Sequence, residues 1–425
     1  MHELPELATE DLVDDGGTNE ENPIAAGADC RCCHALQPGA CDDIGERCAY
    51  RRDDRSLWLR KEGFAGPIKV IERDPTYQYC STALSASSIR TQFGCPFNIG
   101  MSLFGAGMFR DIRQWFGDDA DIGFDERGYL LLGTKEGADA MRATALSQIE
   151  AGATIDIMTP AQAKTRHPWL NIDDIGIATY GAANEGWFDA WALLQLVRRE
   201  AKKLGVEYAT AEANGIESRN GRVTGVRLAD DSVIPCDWCV NAAGPAGGKV
   251  ASWLDIALPV EPRKRTVFHI KAPVPTEGFP MLFDNSGIWI RPEGDGFIAG
   301  IAPEEHRDPH AEGDFEPDHY LFEDIVWPYL AHRVPAMEST RLMRAWAGHY
   351  EMNLLDHNGV VGAHDEIGNF VLATGFSGHG TRRPRAGRWR SGSSTGSIGP
   401  SMCRRWGTNA FASRSRCWSR WCTES

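Results

Sequence analysis

A short β-branched run, Ile68-Lys69-Val70-Ile71, ends on the carboxylate of Glu72. At the C-terminal end of a parallel strand, such a carboxylate bonds the hydroxyls of a ribose. Further on, Ser81-Thr82-Ala83-Leu84-Ser85-Ala86-Ser87-Ser88 is small and hydroxyl-rich. It permits close backbone approach and offers N–H and O–H donors to a phosphate. Asn241-Ala242-Ala243-Gly244-Pro245 follows the apolar run Trp238-Cys239-Val240, and Gly375-Phe376-Ser377-Gly378-His379-Gly380 is a second small-residue turn after another apolar run. Small residues at strand ends let a ligand reach the backbone. Arg291, just before Gly294-Asp295-Gly296, carries a guanidinium suited to a carboxylate, with a surface ion pair as its competing use.

A strand ending on Glu72 should be preceded, about 20 residues upstream, by another strand and a G-x-G-x-x-G turn that holds a diphosphate. Residues 39–64 read GACDDIGERCAYRRDDRSLWLRKEGF and hold no such turn. The strand and phosphate loop are therefore expected to be missing from the chain as it stands.

The elements that must position these residues are legible between about Leu57 and Gly380. Residues 188–205 carry a helical apolar stripe of Trp191, Leu194, Leu196 and Val197, stopped by Gly205. Residues 222–244 alternate as strands punctuated by Asn220-Gly221 and Asp230-Asp231, and residues 262–301 read as several strands around Gly287 and Gly294-Asp295-Gly296. That mix predicts α/β units interrupted by an antiparallel-sheet domain.

With 425 residues, 42% hydrophobic and 24% charged, the composition is that of a soluble globular protein of about two domains. The formal charge of −15 argues against a nucleic-acid partner. No apolar run approaches a membrane span, and the acidic start lacks a signal-peptide pattern, so a cytoplasmic location is expected. Most of the twelve cysteines crowd the ends; Cys236-x-x-Cys239 enters an apolar strand and has no second Cys/His pair, so no metal site is expected.

The ends differ from the middle. Residues 381–425 hold ten Arg, one Glu and four Trp, with no Asp or Lys, which makes the tail +9 and the remainder −24. Arg, Ser, Trp, Gly and Cys together are what a GC-rich gene yields when read out of frame; a natural extension is the alternative, at this end and for residues 1–56 alike.

Taken together, WLRKEGF…VIERDP (58–75), STALSASSIRTQFGCPFNIGMS (81–102), VNAAGPAGGKVA (240–251), RKRTVF (263–268), IWIRPEGDGFIAG (288–300), RAWAGHYEMN (344–353) and NFVLATGFSGHG (369–380) resemble a known group. It is the superfamily of FAD-dependent oxidoreductases that holds D-amino-acid oxidase, glycine oxidase and sarcosine oxidase, and within it the D-amino-acid-dehydrogenase-like branch. The resemblance covers roughly residues 57–380. It implies an α/β fold: an FAD-binding Rossmann-like domain, here without its first strand and phosphate loop, and an antiparallel-sheet α+β substrate domain. The expected limits are 57–118, 185–250 and 345–380 for the first, and 119–184 and 251–344 for the second, between atypical ends at 1–56 and 381–425.

By the same resemblance FAD is the cofactor. Glu72, Ser81, Thr82, Ser87, Ser88, Ala213, Ala243 and Gly244 are expected to contact it, with Gly375, Phe376, Ser377, Gly378, His379 and Gly380 at the flavin's pyrimidine edge. The helix that follows that turn in the family is replaced here by the tail. Arg291 is expected to grip a substrate carboxylate, His349 and Tyr350 to line the pocket over the flavin, and Arg90 to neighbour flavin or substrate. The implied reaction is hydride transfer from the α C–H of an amino acid or N-alkylglycine, with electrons passing on to oxygen or a carrier. No nucleophile or metal is needed. A chain that carries the family middle but cannot hold FAD is the competing reading.

Overall fold

Two sheets organise the protein, seen here in a computed structural model that describes residues 48–50 and 53–378, all within one unit, Gly45–Ser425. The first has six strands in the order Val360–Ala363, Phe370–Thr374, Trp238–Asn241, Cys48–Tyr50, Ile68–Glu72 and Glu207–Thr210. All neighbours run parallel except the first pair. Parallel strands need both faces covered. Ile68 and Val70 enter a core with Trp58, Phe109 and Leu196, on the side of the helices. Ile71 points the other way, into a core with Cys239, Phe370 and Val226 of a small three-stranded sheet.

The slot beside Ile68–Glu72, expected to lack a strand, holds Cys48–Tyr50, paired with Trp238–Val240 on one side and Ile68–Val70 on the other. This corrects the expectation of an absent first strand. Cys-Ala-Tyr carries no strand signal of its own; the unpaired edges of two flanking parallel strands supply the hydrogen-bonding partners. The helix Asp53–Lys61 follows after only Arg51 and Arg52, and no glycine lies between Gly45 and Gly63.

The second sheet has eight strands, in the order Arg341–Asn353, Val260–Lys271, Gly296–Gly300, Trp289–Glu293, Met281–Phe283, Tyr129–Thr134, Ile175–Gly181 and Ile155–Met158. Its pairs are antiparallel except Met281–Phe283 with Tyr129–Leu131. Phe268, Phe279, Phe297, Phe322 and Leu330 form its core. The strand Arg341–Asn353 runs unbroken across the limit expected at 345.

The helix expected over 188–205 spans Ala190–Lys203, capped by the Asp189 carboxylate, which accepts from the Ala192 N–H at 2.9 Å. Leu196 and Val197 are buried, but Trp191 is 44% exposed, so it is no part of the core stripe. Asn220 and Gly221 both take positive φ, 51° and 71°, the requirement of a tight hairpin turn. No helix among the described residues is long and apolar enough to cross a membrane.

Candidate active site

A cavity of about 780 Å³ runs from Glu72 and Ala213 at one end to His349, Tyr350 and Gly378 at the other. Its size is that of a cofactor-binding cleft. Glu72 stands at the C-terminal end of its parallel strand, half-buried, one oxygen accepting from the Asp74 N–H at 3.0 Å. Beside it Arg73 pairs with Glu212 at 3.6 Å. Ala243, Pro245 and Ala246 line the middle, where the bare strand end lets a ligand approach. Gly244 does not line the cavity; it takes a φ of +59°, and its carbonyl accepts from the Thr374 hydroxyl at 2.7 Å.

Ser81, Thr82, Ser87 and Ser88 all line the cavity, on a loop folded by its own hydroxyls. Ser85 donates to the Thr82 carbonyl and accepts from the Ser87 N–H, and Ser87 takes a positive φ of 53°. Ser81 donates to the His349 carbonyl at 2.7 Å and the Trp346 indole donates to the Leu84 carbonyl at 3.1 Å, which lays the loop on the strand Arg341–Asn353. Gly348 makes this approach possible: a Cβ there would stand 2.8 Å from that of Leu84.

The second turn is split in role. Gly378 lines the cavity, so close to Tyr350 that a Cβ would lie 2.4 Å from the ring. Gly375, Phe376 and Ser377 build the turn from behind: Phe376 is 1% exposed, and the Ser377 hydroxyl accepts from the Asn353 N–H at 2.9 Å. The buried carboxylate of Glu351 accepts from the Gly375 N–H and the Thr374 hydroxyl, each at 3.2 Å. His379 and Gly380 lie outside the described residues.

The two arginines part company. Arg291 is 4% exposed, and it does not line the cavity. Its guanidinium donates to the carbonyls of Ala86 and Pro292, at 2.9 and 2.7 Å, and to the Glu293 carboxylate at 2.5 Å. It is a brace under the hydroxyl-rich loop. Arg90, which does not line the cavity either, is half-buried two residues after Ser88, its guanidinium 4.5 Å from the ring centroid of Phe93 and 5.5 Å from that of Phe283, a cavity-lining residue. It makes no hydrogen bond or ion pair among the described residues. Burial lowers its pKa, while Tyr129, Glu185 and Tyr350 favour its charge.

Several residues here carry no local signal. Glu185 is fully buried and accepts from the Thr91 N–H and hydroxyl, both at 2.6 Å, and from the Gln92 N–H and amide, at 3.1 and 2.9 Å. Burial raises its pKa against those bonds. It fixes the segment that carries Arg90. Arg265 lies 5.0 Å from the centroid of the Tyr350 ring and makes a two-pronged ion pair with Asp308 at 2.7 and 2.8 Å. Cys236 and Cys239 are buried in apolar surroundings, and burial pushes the Cys236 thiol up to about 12.

FAD fits the two ends of the cleft better than its middle. Glu72 suits a ribose, and the Ser81–Ser88 loop with Gly378 leaves room for a flat ring. Between them, where a phosphate loop would need glycines, the sequence reads Arg51-Arg52-Asp53-Asp54.

Comparison with known proteins agrees with this geometry. A Xenopus laevis protein described as FAD-dependent oxidoreductase domain-containing protein 1 is 42% identical over 373 residues, covering 78% of this chain and 74% of its own. Its Bos taurus counterpart is 38% identical, covering 78% and 76%. Among solved structures, L-proline dehydrogenase from P. horikoshii superposes with a TM-score of 0.72 at 22% identity, over 84% of this chain and 95% of its own. Glycine oxidase from Bacillus cereus gives 0.67 at 18% identity, over 81% and 94%. Residues 57–382 match the DAO family, described as FAD dependent oxidoreductase, and the chain belongs to that family.

Proposed function

We propose that the protein oxidises the C–N bond of an amino acid or N-alkylglycine, with FAD as the two-electron acceptor. Arg90 carries the reading. A guanidinium with no hydrogen bond or ion pair among the described residues, set over the rings of Phe93 and Phe283 beside the cavity, is suited to a carboxylate. The names of similar proteins, among them human mitochondrial sarcosine dehydrogenase at 25% identity over 243 residues, support an amino-acid substrate. Bound FAD would supply the acceptor of the substrate's α-hydrogen as hydride, leaving an imine that water hydrolyses. The chain's own part is placement. Arg90 holds the carboxylate from behind the lining residue Phe283, Glu185 holds Arg90's segment, and Tyr350 and Gly378 line the cavity. Electrons then leave to oxygen or to a carrier.

A second reading, a family member that cannot hold FAD, is favoured by the absence of any glycine between Gly45 and Gly63. The visible spectrum of the purified chain, before and after FAD addition, separates the two. In the first reading the flavin band bleaches anaerobically with a carboxylated amine and not with its decarboxylated analogue. A colourless protein that takes up no FAD leaves the second.

A further inference from the structure

We propose that His349 is the proton acceptor that frees the substrate amine for oxidation, an inference that rests on the reading just given. The ring lines the cavity and is 9% exposed. Its Nε2 lies 2.6 Å from the carbonyl oxygen of Asp314. A carbonyl only accepts, so Nε2 carries the hydrogen and Nδ1 carries the lone pair. Nδ1 has no hydrogen-bond partner among the described residues, which leaves it as the ring's polar atom toward the cavity. Phe315 stacks on the imidazole, with centroids 4.2 Å apart and planes at 21°, and fixes its tilt.

The carbonyl that sets the tautomer is itself strapped down. Asp314 pairs with Lys264 at 2.8 Å, and Lys264 also reaches Asp318 at 2.9 Å. Arg265 grips Asp308, and Arg263 donates to the Asp308 carbonyl. The run Arg263-Lys264-Arg265 thus clamps residues 308–318 over the cavity, and its role in the site is to hold the backbone that orients His349.

At neutral pH an amino acid carries an ammonium group, whose nitrogen has no lone pair to form an imine. Proton transfer breaks one ammonium N–H bond and forms Nδ1–H. The positive charge moves from substrate to imidazolium, so the step balances without another reactant. In water the amine is the stronger base of the two, and desolvation of the ammonium in the cavity weakens its hold on the proton. The charged and titratable groups around the ring are Asp314, Glu312 and His310 on the strap, Lys264 and Arg265 on the next strand, Tyr350 and Glu351 on its own strand, and Cys80 on the facing loop. Burial lowers the His349 pKa, against the Asp314 carbonyl and carboxylate, which favours the ring form that keeps its lone pair.

The test uses the full chain loaded with FAD and His349→Gln, whose amide N–H can still reach the Asp314 carbonyl but offers no base. Anaerobic flavin bleaching by N-methylglycine is followed from pH 5 to pH 10. The wild-type rate should level off above the histidine pKa. The variant should be slower by about 10²-fold at pH 7, climb tenfold per pH unit, and converge with wild type once the free amine predominates. Superimposable profiles overturn the assignment of His349 alone; wild-type flavin that no carboxylated amine bleaches overturns the reading of function with it. A second readout needs no turnover. In ¹⁵N-histidine NMR spectra, the signal lost in the variant should be that of an Nε2–H tautomer, shifted on adding methoxyacetate, which has an ether oxygen in place of the amine. An Nδ1–H tautomer overturns the proposal.

Discussion

The two large sheets are held by different means. In the eight-stranded sheet, Val260–Lys271 and Arg341–Asn353 pair along nearly their whole length, and Arg333, 1% exposed, ties Asp284 and Asp174 together beneath it. In the six-stranded sheet, everything between Trp238–Asn241 and Ile68–Glu72 depends on three residues, Cys48–Tyr50. The eight-stranded half is anchored by long register and buried charge. The six-stranded half has a short centre, and no glycine lies between Gly45 and Gly63. The difference teaches that the residues that place the chain in its family, 57–382, lie outside the short central strand.

The largest effect should come from rebuilding that centre. Replacing residues 47–55 with a strand and a G-x-G-x-x-G turn adds backbone N–H groups aimed at the diphosphate. Two charge-assisted bonds at roughly 1.5–3 kcal/mol each amount to about 10²–10⁴-fold in FAD affinity. Fluorescence titration measures it, and unchanged affinity would mean that the diphosphate is held elsewhere. Next, Arg333→Leu leaves Asp284, 6% exposed on its side chain, without its partner. Stripping one member of a buried pair costs about 3–5 kcal/mol. Urea denaturation reads this directly; a loss under 1 kcal/mol would remove buried charge as the anchor of the eight-stranded half.

A smaller contrast separates the two arginines. Arg90→Ala should lower kcat/KM for carboxylated amines by roughly 10–150-fold, the equivalent of about 1.5–3 kcal/mol, with stability unchanged. Arg291→Ala strips donors from Ala86, Pro292 and Glu293, so it should lower Tm and loosen FAD without altering the preference for a carboxylate. If Arg291→Ala abolishes that preference and Arg90→Ala retains it, the assignments reverse.

What the sequence made legible was local. Glu72 at a strand end, the helix after Asp189 and the Asn220-Gly221 turn each follow from neighbours in the chain. Guanidinium chemistry was legible too, but not which guanidinium is spoken for. Arg291 is bound by a carbonyl 205 positions away, and Arg90's segment is held by Glu185, 94 positions from Thr91. The Arg263-Lys264-Arg265 run stood out without a role, because its partners lie on a loop some 45 residues on that has no pattern of its own. Trp191 fits a helical stripe by spacing, yet that position faces outward. Cys48–Tyr50 is a strand only because two parallel neighbours leave a slot for it.

Acid gives the finest test of the same contrast. His167, 5% exposed, follows the helix Pro160–Arg166 and packs between Trp169 and Tyr180 near the eight-stranded sheet. Its Nε2 has no hydrogen-bond partner among the described residues. Burial first, and then the neighbouring Arg166 charge, push its pKa down to about 4. A depressed histidine binds its proton more readily in the unfolded chain. Stability is therefore intact above the ordinary value near 6.5 and declines as pH falls from there toward 4. Over pH 7 to 5 the expected loss is about 1–2 kcal/mol, and His167→Phe should remove it. That window lies above the range where Asp174, held far below the usual carboxylate range by Arg333, takes up its proton. Urea denaturation of both proteins at pH 7 and pH 5 isolates the histidine. Equal acid losses in wild type and variant would move the sensitivity elsewhere, and hydrogen exchange would then show which sheet opens first.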